Sequence, residues 1–379
     1  MPKSSGLEPN RDINIDTKTM QLEIIRPFAE ITFAHELLAL QKFDQNEKPN
    51  VWKLSPKAIM LYMLGTKLPD GTSISPKYFG DKKILELSIA TLLSDRALLL
   101  TGLPGTAKTW VAEHLTAAIC GNSSLLIQGT TGIHEDHLRY GWNYASLIAN
   151  GPSEEALIPS PIMSAMRTGQ IVRIEELSRI PTETQDALIT ILSEKVLPVI
   201  ELNKQVQAVK GFNLIATAND QDKGIYEMSS ALKRRFNIIV MPLPSTLEEE
   251  VRIVDFRVKQ MEQLLEVSLP KIKEKQMEQL VTIFRELRVG KTNDGKQKLK
   301  PTEANLSPAE AISILHHARI HGHYFNHNLI PIELIVPGII NIIQQSENKD
   351  YSCLEEYNEL VIKKRLDWKE WYLAFKNVL

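Results

Sequence analysis

Short apolar runs alternate with amphipathic stretches of helical period through the middle of the chain. The runs at 97–100, 125–128, 171–174, 213–216 and 238–241 read as strands, and 82–93 reads as the helix ahead of the first of them. Alternation of this kind predicts an α/β unit, a central parallel sheet sandwiched by helices. From Ser245 onward the period is helical, over 246–265, 275–287 and 308–319, with a polar loop at 291–300 between the last two, so a smaller all-α domain follows. Upstream, 28–43 is amphipathic, 55–64 is a short helix capped by Ser55 and Pro56, and Pro69-Asp70-Gly71 is a turn. This predicts a mostly helical extension over 1–77, a core over 78–244, a helical domain over 245–345 and a helical tail over 346–379. No internal repeat or low-complexity tract interrupts the pattern.

Composition narrows the class. Lys+Arg 44 against Asp+Glu 46 leaves a net charge of -2, so no global basic field points to nucleic acid as the main partner. Residues 1–20 lack the apolar core of a secretory signal. The longest apolar region, 329–343, is broken by Pro331, Glu333 and Pro337 and is too short to span a bilayer, so no membrane segment is expected. Cys120 and Cys353 suggest neither a disulfide framework nor a zinc ribbon, and a reducing cytoplasm is the expected location.

The chemistry begins after the first strand, in Gly102-Leu103-Pro104-Gly105-Thr106-Ala107-Lys108-Thr109-Trp110. Glycines at 102 and 105 let the backbone turn tightly and aim N–H groups at phosphate oxygens, at the positive end of the helix that follows. Lys108 is placed to reach the β- and γ-phosphates and the Thr109 hydroxyl to meet Mg²⁺, so ATP with Mg²⁺ is the expected ligand. Ala107 departs from the strict P-loop pattern, which has glycine there, and a small Cβ is expected to strain the loop little. A second motif, Ile171-Val172-Arg173-Ile174-Glu175-Glu176, is a strand ending in paired carboxylates, the form of a Walker B segment. Neighbouring strand residues point to opposite faces, which assigns Glu175 to the Mg²⁺ shell and Glu176 to polarising the attacking water.

These motifs, with Asn219 after the strand at 214–217 and Ala231-Leu232-Lys233-Arg234-Arg235-Phe236, resemble in order and spacing an AAA+ ATPase, more narrowly the MoxR type of the helix-2-insert group. The resemblance spans 78 to about 337. It implies a P-loop AAA+ core followed by a small all-α lid, an insert near 133–161 and a β-hairpin near 196–209. By the same resemblance Asn219 is the sensor 1 residue, Arg234 or Arg235 is the arginine finger reaching a neighbouring subunit, with Arg235, just before Phe236, the better match to the family's position, and Tyr78-Phe79-Gly80 contacts adenine. It further implies a homo-oligomer, a hexameric ring, acting like a chaperone with a von Willebrand factor A-type partner protein. Two other readings stay open: a nucleic-acid motor or loader on the same core, and a nucleotide-gated scaffold with negligible hydrolysis.

The chain departs from the family pattern where a sensor 2 arginine is expected: Ala309 and Glu310 follow Ser307-Pro308, and Arg319 lies about 15 Å further along a helix. His316, His317, His321, His323 and His327 cluster in the same region, and 317 and 321 share a helix face without a convincing third and fourth metal ligand. Tyr140 and Trp142 read either as an exposed or pore-facing grip or as packing of the insert on its own domain.

Overall fold

A computed structural model describes residues 25–219, 226–262, 267–345 and 349–379. Five parallel strands form the central sheet: β1 (Ala97–Thr101), β2 (Leu126–Gln128), β3 (Ile171–Glu175), β4 (Asn213–Thr217) and β5 (Phe236–Val240). Their order is β5-β1-β4-β3-β2, with Ile215 opposite Leu98, Leu214 opposite Val172 and Gln128 opposite Glu175. Every residue of β1, β3 and β4 is buried, as continuous apolar runs covered on both faces require. Edge strand β5 instead alternates, burying Phe236 and exposing Ile238 and Val240. The carboxyl ends of β1, β4 and β3 lie side by side, which is where open parallel sheets place ligands.

The helix that follows β1, Lys108–Cys120, is buried continuously from Val111 to Ile119. Helices that are apolar all round need cover on every side, and here the amino-terminal segment supplies it. Phe33, Leu37 and Leu40, with Ile59, Tyr62 and Met63 of helix Pro56–Leu64, share one core with Val111 and Leu115. On the opposite face of the sheet, helices Pro161–Thr168 and Leu188–Ser193 close a second core.

Within 133–161, strands Tyr140–Trp142 and Leu157–Pro159 pair antiparallel around helix Tyr144–Asn150. The hairpin expected at 196–209 is present as Val196–Val199 against Lys204–Gln207.

A third core belongs to the carboxyl-terminal helices Leu247–Glu262, Glu274–Val289, Pro308–Phe325 and Val336–Gln344. The last of these begins on the apolar stretch whose prolines argued for interruption. Pro337 sits in its first turn, where a missing N–H costs nothing. Residues 263–265 of the expected helix 246–265 lie outside the described residues. Helices Lys349–Leu360 and Lys369–Lys376 pack into the same core through Leu354, Tyr357, Trp371 and Phe375. Buried Glu286 anchors them by accepting from Tyr357 Oη at 2.6 Å and Arg365 Nη2 at 2.7 Å. Among the described residues no helix is long and apolar enough to cross a membrane.

Candidate functional site

The loop from Gly102 to Ala107 wraps the amino terminus of helix Lys108–Cys120. Gly102 and Gly105 hold φ of 137° and 76°, a region open to glycine, and a Cβ on Gly105 would fall 2.3 Å from Ser307 Oγ of the helical domain. Ala107 also adopts the left-handed region, at φ 63° and ψ 23°. The expectation of little strain therefore fails here: alanine carries a conformational cost of roughly 1–2 kcal/mol that glycine would not. Buried Lys108 folds over the loop and donates from Nζ to Gly102 O and Leu103 O, both at 2.8 Å.

Buried Glu175 ends β3 with both carboxylate oxygens engaged. Oε2 accepts from Thr109 Oγ1 at 2.7 Å and Thr217 Oγ1 at 2.6 Å, and Oε1 faces Arg173 Nη1 at 3.1 Å. A hydroxyl from the P-loop helix and a carboxylate from β3 thus stand together at the sheet edge. That donor set suits Mg²⁺, which takes one or two protein oxygens and completes its shell from waters and phosphates. Glu176 follows in a left-handed conformation, φ 54° and ψ 50°, with its N–H donated to Thr217 Oγ1 at 3.1 Å and its Oε2 2.6 Å from Arg179 Nε. The two carboxylates diverge because the chain turns at Glu176, beyond the end of the strand. Close to them, a Cβ on Gly129 would lie 2.2 Å from Glu176 O, so the β2 end admits only glycine.

A cavity of about 920 Å³ opens above these groups, between the sheet edge and the helical domain. Its lining includes Tyr78, Phe79 and Gly80, Pro104 to Trp110, and Glu176 and Asn219. The structure therefore brings most of the expected site residues to one cleft. Arg234 and Arg235 do not line it. Arg234 is exposed, whereas Arg235 donates to Ser193 Oγ from Nε and to Ala231 O from Nη1, each at 2.8 Å.

The helical domain supplies groups that belong to no sequence motif. Arg257 stands 3.8 Å over the Trp110 ring, and Ala309, His316 and His317 line the cleft. Burial, with Arg319 and His317 nearby, lowers the His316 pKa. Arg319 is spent elsewhere, donating to Pro270 O at 2.8 Å and to Glu262 Oε2 at 2.7 Å, so it braces its own domain. His317 and His321 do share a face, their rings 6.5 Å apart, and among the described residues no group of three metal-binding side chains forms.

On the cleft floor, buried Lys77 pairs with Glu36 at 2.7 Å beneath Phe33 and Tyr62, and burial pulls its pKa down to about 8. Arg173 signalled itself as a charge inside an apolar strand. Arg257 carried no such signal, because its helix is amphipathic and charged throughout.

Tyr140 is packed rather than free. It is buried, its hydroxyl donates to Glu201 Oε2 at 2.8 Å, and half-buried Trp142 meets its ring edge-on. Exposed apolar side chains nearby include Tyr144, Ile148, Ile158 and, on the hairpin, Ile200.

Residues 97–236 match the AAA domain of the dynein-related subfamily, and residues 248–373 match the carboxyl-terminal domain of YehL-like AAA+ ATPases. The chain is 36% identical over 356 residues to the uncharacterized protein YehL of Escherichia coli, covering 92% of this chain and 96% of that one. An uncharacterized Staphylococcus haemolyticus protein is 29% identical over 168 residues, 42% of this chain and 60% of that one. Among solved structures, RuvB of Thermotoga maritima aligns at TM-score 0.46 and 15% identity, over 78% of this chain and 81% of that one. NtrX of Brucella abortus, solved also with ATP, aligns at TM-score 0.46 and 14% identity, over 72% of this chain and 58% of that one.

Proposed function

The chain belongs to the YehL-like AAA+ ATPases, and from that premise we propose that it hydrolyses ATP and uses the cycle to remodel or assemble partner proteins, in the manner of the MoxR type. The observation that carries the hydrolytic reading is the convergence of Lys108, Thr109, Glu176 and Asn219 on one cleft, with buried Glu175 behind it accepting from Thr109 and Thr217.

In this reading the loop N–H groups and Lys108 hold the phosphate chain, and Tyr78-Phe79-Gly80 takes the adenine. Thr109 and Glu175 would hold Mg²⁺, which when bound would spread the phosphate charge. Glu176 accepts a hydrogen bond from a water aimed at the γ-phosphorus, and the Asn219 amide fixes that water's orientation. Attack forms the new P–O bond as the bond to the ADP oxygen breaks, and the proton leaves toward Glu176.

A guanidinium from the next subunit of a hexameric ring offsets the developing charge. Exposure favours Arg234 for that task, since Arg235 is tied to Ser193 and Ala231 in its own subunit. Tyr144, Ile148 and Ile200 offer apolar contact to a partner, for which a von Willebrand factor A-type protein in the cytoplasm is the proposed client.

Purified protein should release phosphate from ATP in a magnesium-dependent way. Lys108→Ala should abolish nucleotide binding, and Glu176→Gln should abolish turnover while keeping binding. A Glu176→Gln protein as active as the parent would remove the hydrolytic assignment.

A further inference from the structure

We propose that Arg257 is the helical domain's phosphate receptor in the cleft, taking the nucleotide's phosphates as the counter-charge that the protein itself withholds. This rests on the nucleotide reading above and deepens it. Arg257 lies on helix Leu247–Glu262, partly buried, with its guanidinium 3.8 Å over the Trp110 ring. Trp110 is fixed in turn by donating from Nε1 to Lys77 O at 2.9 Å. The hydrogen-bond acceptor of the guanidinium is the neutral amide oxygen of Gln260. Among the described residues no carboxylate forms an ion pair with it, whereas Arg26, which lines the same cleft, pairs with Glu113 at 3.2 Å.

A sequestered cation without a partner is costly, and the cost appears as a pKa lowered to about 10, first by burial and then by the charge of Arg26. Arg26 and Arg257 both line the same cleft as the P-loop, so the cavity concentrates positive charge where an anion of high charge is expected. The aromatic stack holds the guanidinium plane, leaving its N–H edge for oxygen acceptors.

The expected sensor 2 position explains why the helical domain needs another cation. Ala309 occupies that place, close beside Gly105, and has no polar group to offer the phosphates. Arg257 reaches the cleft from a different helix of the same domain. Nucleotide binding then draws that helix toward the P-loop, and phosphate loss releases it.

The test measures ADP and adenosine affinity by calorimetry, together with thermal unfolding, for the parent, Arg257→Gln and Arg257→Lys. Removing an unpaired, partly buried charge should leave the ligand-free protein as stable as the parent or more so. It should weaken ADP binding by about 10- to 100-fold, leave adenosine within about twofold, and Arg257→Lys should recover part of the loss. Unchanged ADP affinity in Arg257→Gln would overturn the assignment. An equal loss for adenosine would overturn it too, since the contact would then be to the nucleoside. A lower melting temperature for ligand-free Arg257→Gln would mark a structural arginine instead. A parent protein that binds no ADP would overturn the nucleotide reading beneath it, a result distinct from the other three.

Discussion

The Glu176 carboxylate lies 2.6 Å from the Arg179 guanidinium across a single left-handed turn. The proposed water-polarising group is thus held by a half-exposed arginine three residues along its own chain. Arg179→Ala should free the carboxylate and raise the steady-state ATPase rate by about two- to tenfold, against a loss of at least about 100-fold for Glu176→Gln. A rate unchanged by Arg179→Ala would show that this ion pair does not restrain the step.

Arg173 is a buried cation of the core, 2% exposed, and lies between Glu175 at 3.1 Å and Glu113 at 4.0 Å. Its Nε and Nη2 also donate to Ser123 O. Arg173→Met removes the buried counter-charge shared by Glu175 and Glu113 and leaves Ser123 O without its donors, so unfolding stability should fall by about 3–5 kcal/mol in denaturant titration. Adding Glu113→Gln should recover part of that loss, and strict additivity of the two changes would argue against a shared network.

Lys77 gives the protein a distinctive alkaline response. Burial lowers its folded-state pKa from 10.5 to about 8, so between pH 8 and 10.5 the unfolded chain binds the extra proton. Stability carried by this group therefore rises with pH across that window, by at most about 3 kcal/mol. The slope of stability against pH should become less positive in Lys77→Met, and identical slopes would contradict the assigned shift.

Gly105→Ala tests how the P-loop meets the helical domain. Alanine there meets both an unfavourable φ of 76° and the Ser307 side chain, whose Oγ and Cβ lie 2.3 and 2.5 Å from the added carbon. ADP affinity should fall about tenfold or more. Ser307→Gly in the same chain removes the collision and leaves the backbone cost, so partial recovery is expected; none at all would locate the whole effect in the loop.

Much of this architecture was legible because it rests on local pattern. The five strands, the hairpin and the residues of the P-loop cleft all announce themselves through apolar runs and motif spacing within a few positions of where they lie. What escaped depends on side chains meeting across long stretches of chain. Nothing within Leu247–Glu262 marks Arg257 apart from Arg252, and only the docking of that helix above Trp110 separates them. The sequence leaves Tyr140 open between a grip and packing, and only its hydroxyl's bond to Glu201, sixty-one residues away, decides for packing. Side-chain size alone suggests that Ala107 costs the loop little, whereas its left-handed backbone conformation decides the cost.

The proposed hydrolysis at a site completed by a neighbouring subunit ties activity to assembly, which a series of specific ATPase activities across protein concentration reads out. Activity per chain should rise with concentration and then level off. Inactive Glu176→Gln and Arg234→Ala chains should regain activity when mixed, because one supplies the finger and the other the carboxylate. Activity per chain that is constant down to dilute monomer, with no recovery on mixing, would contradict it.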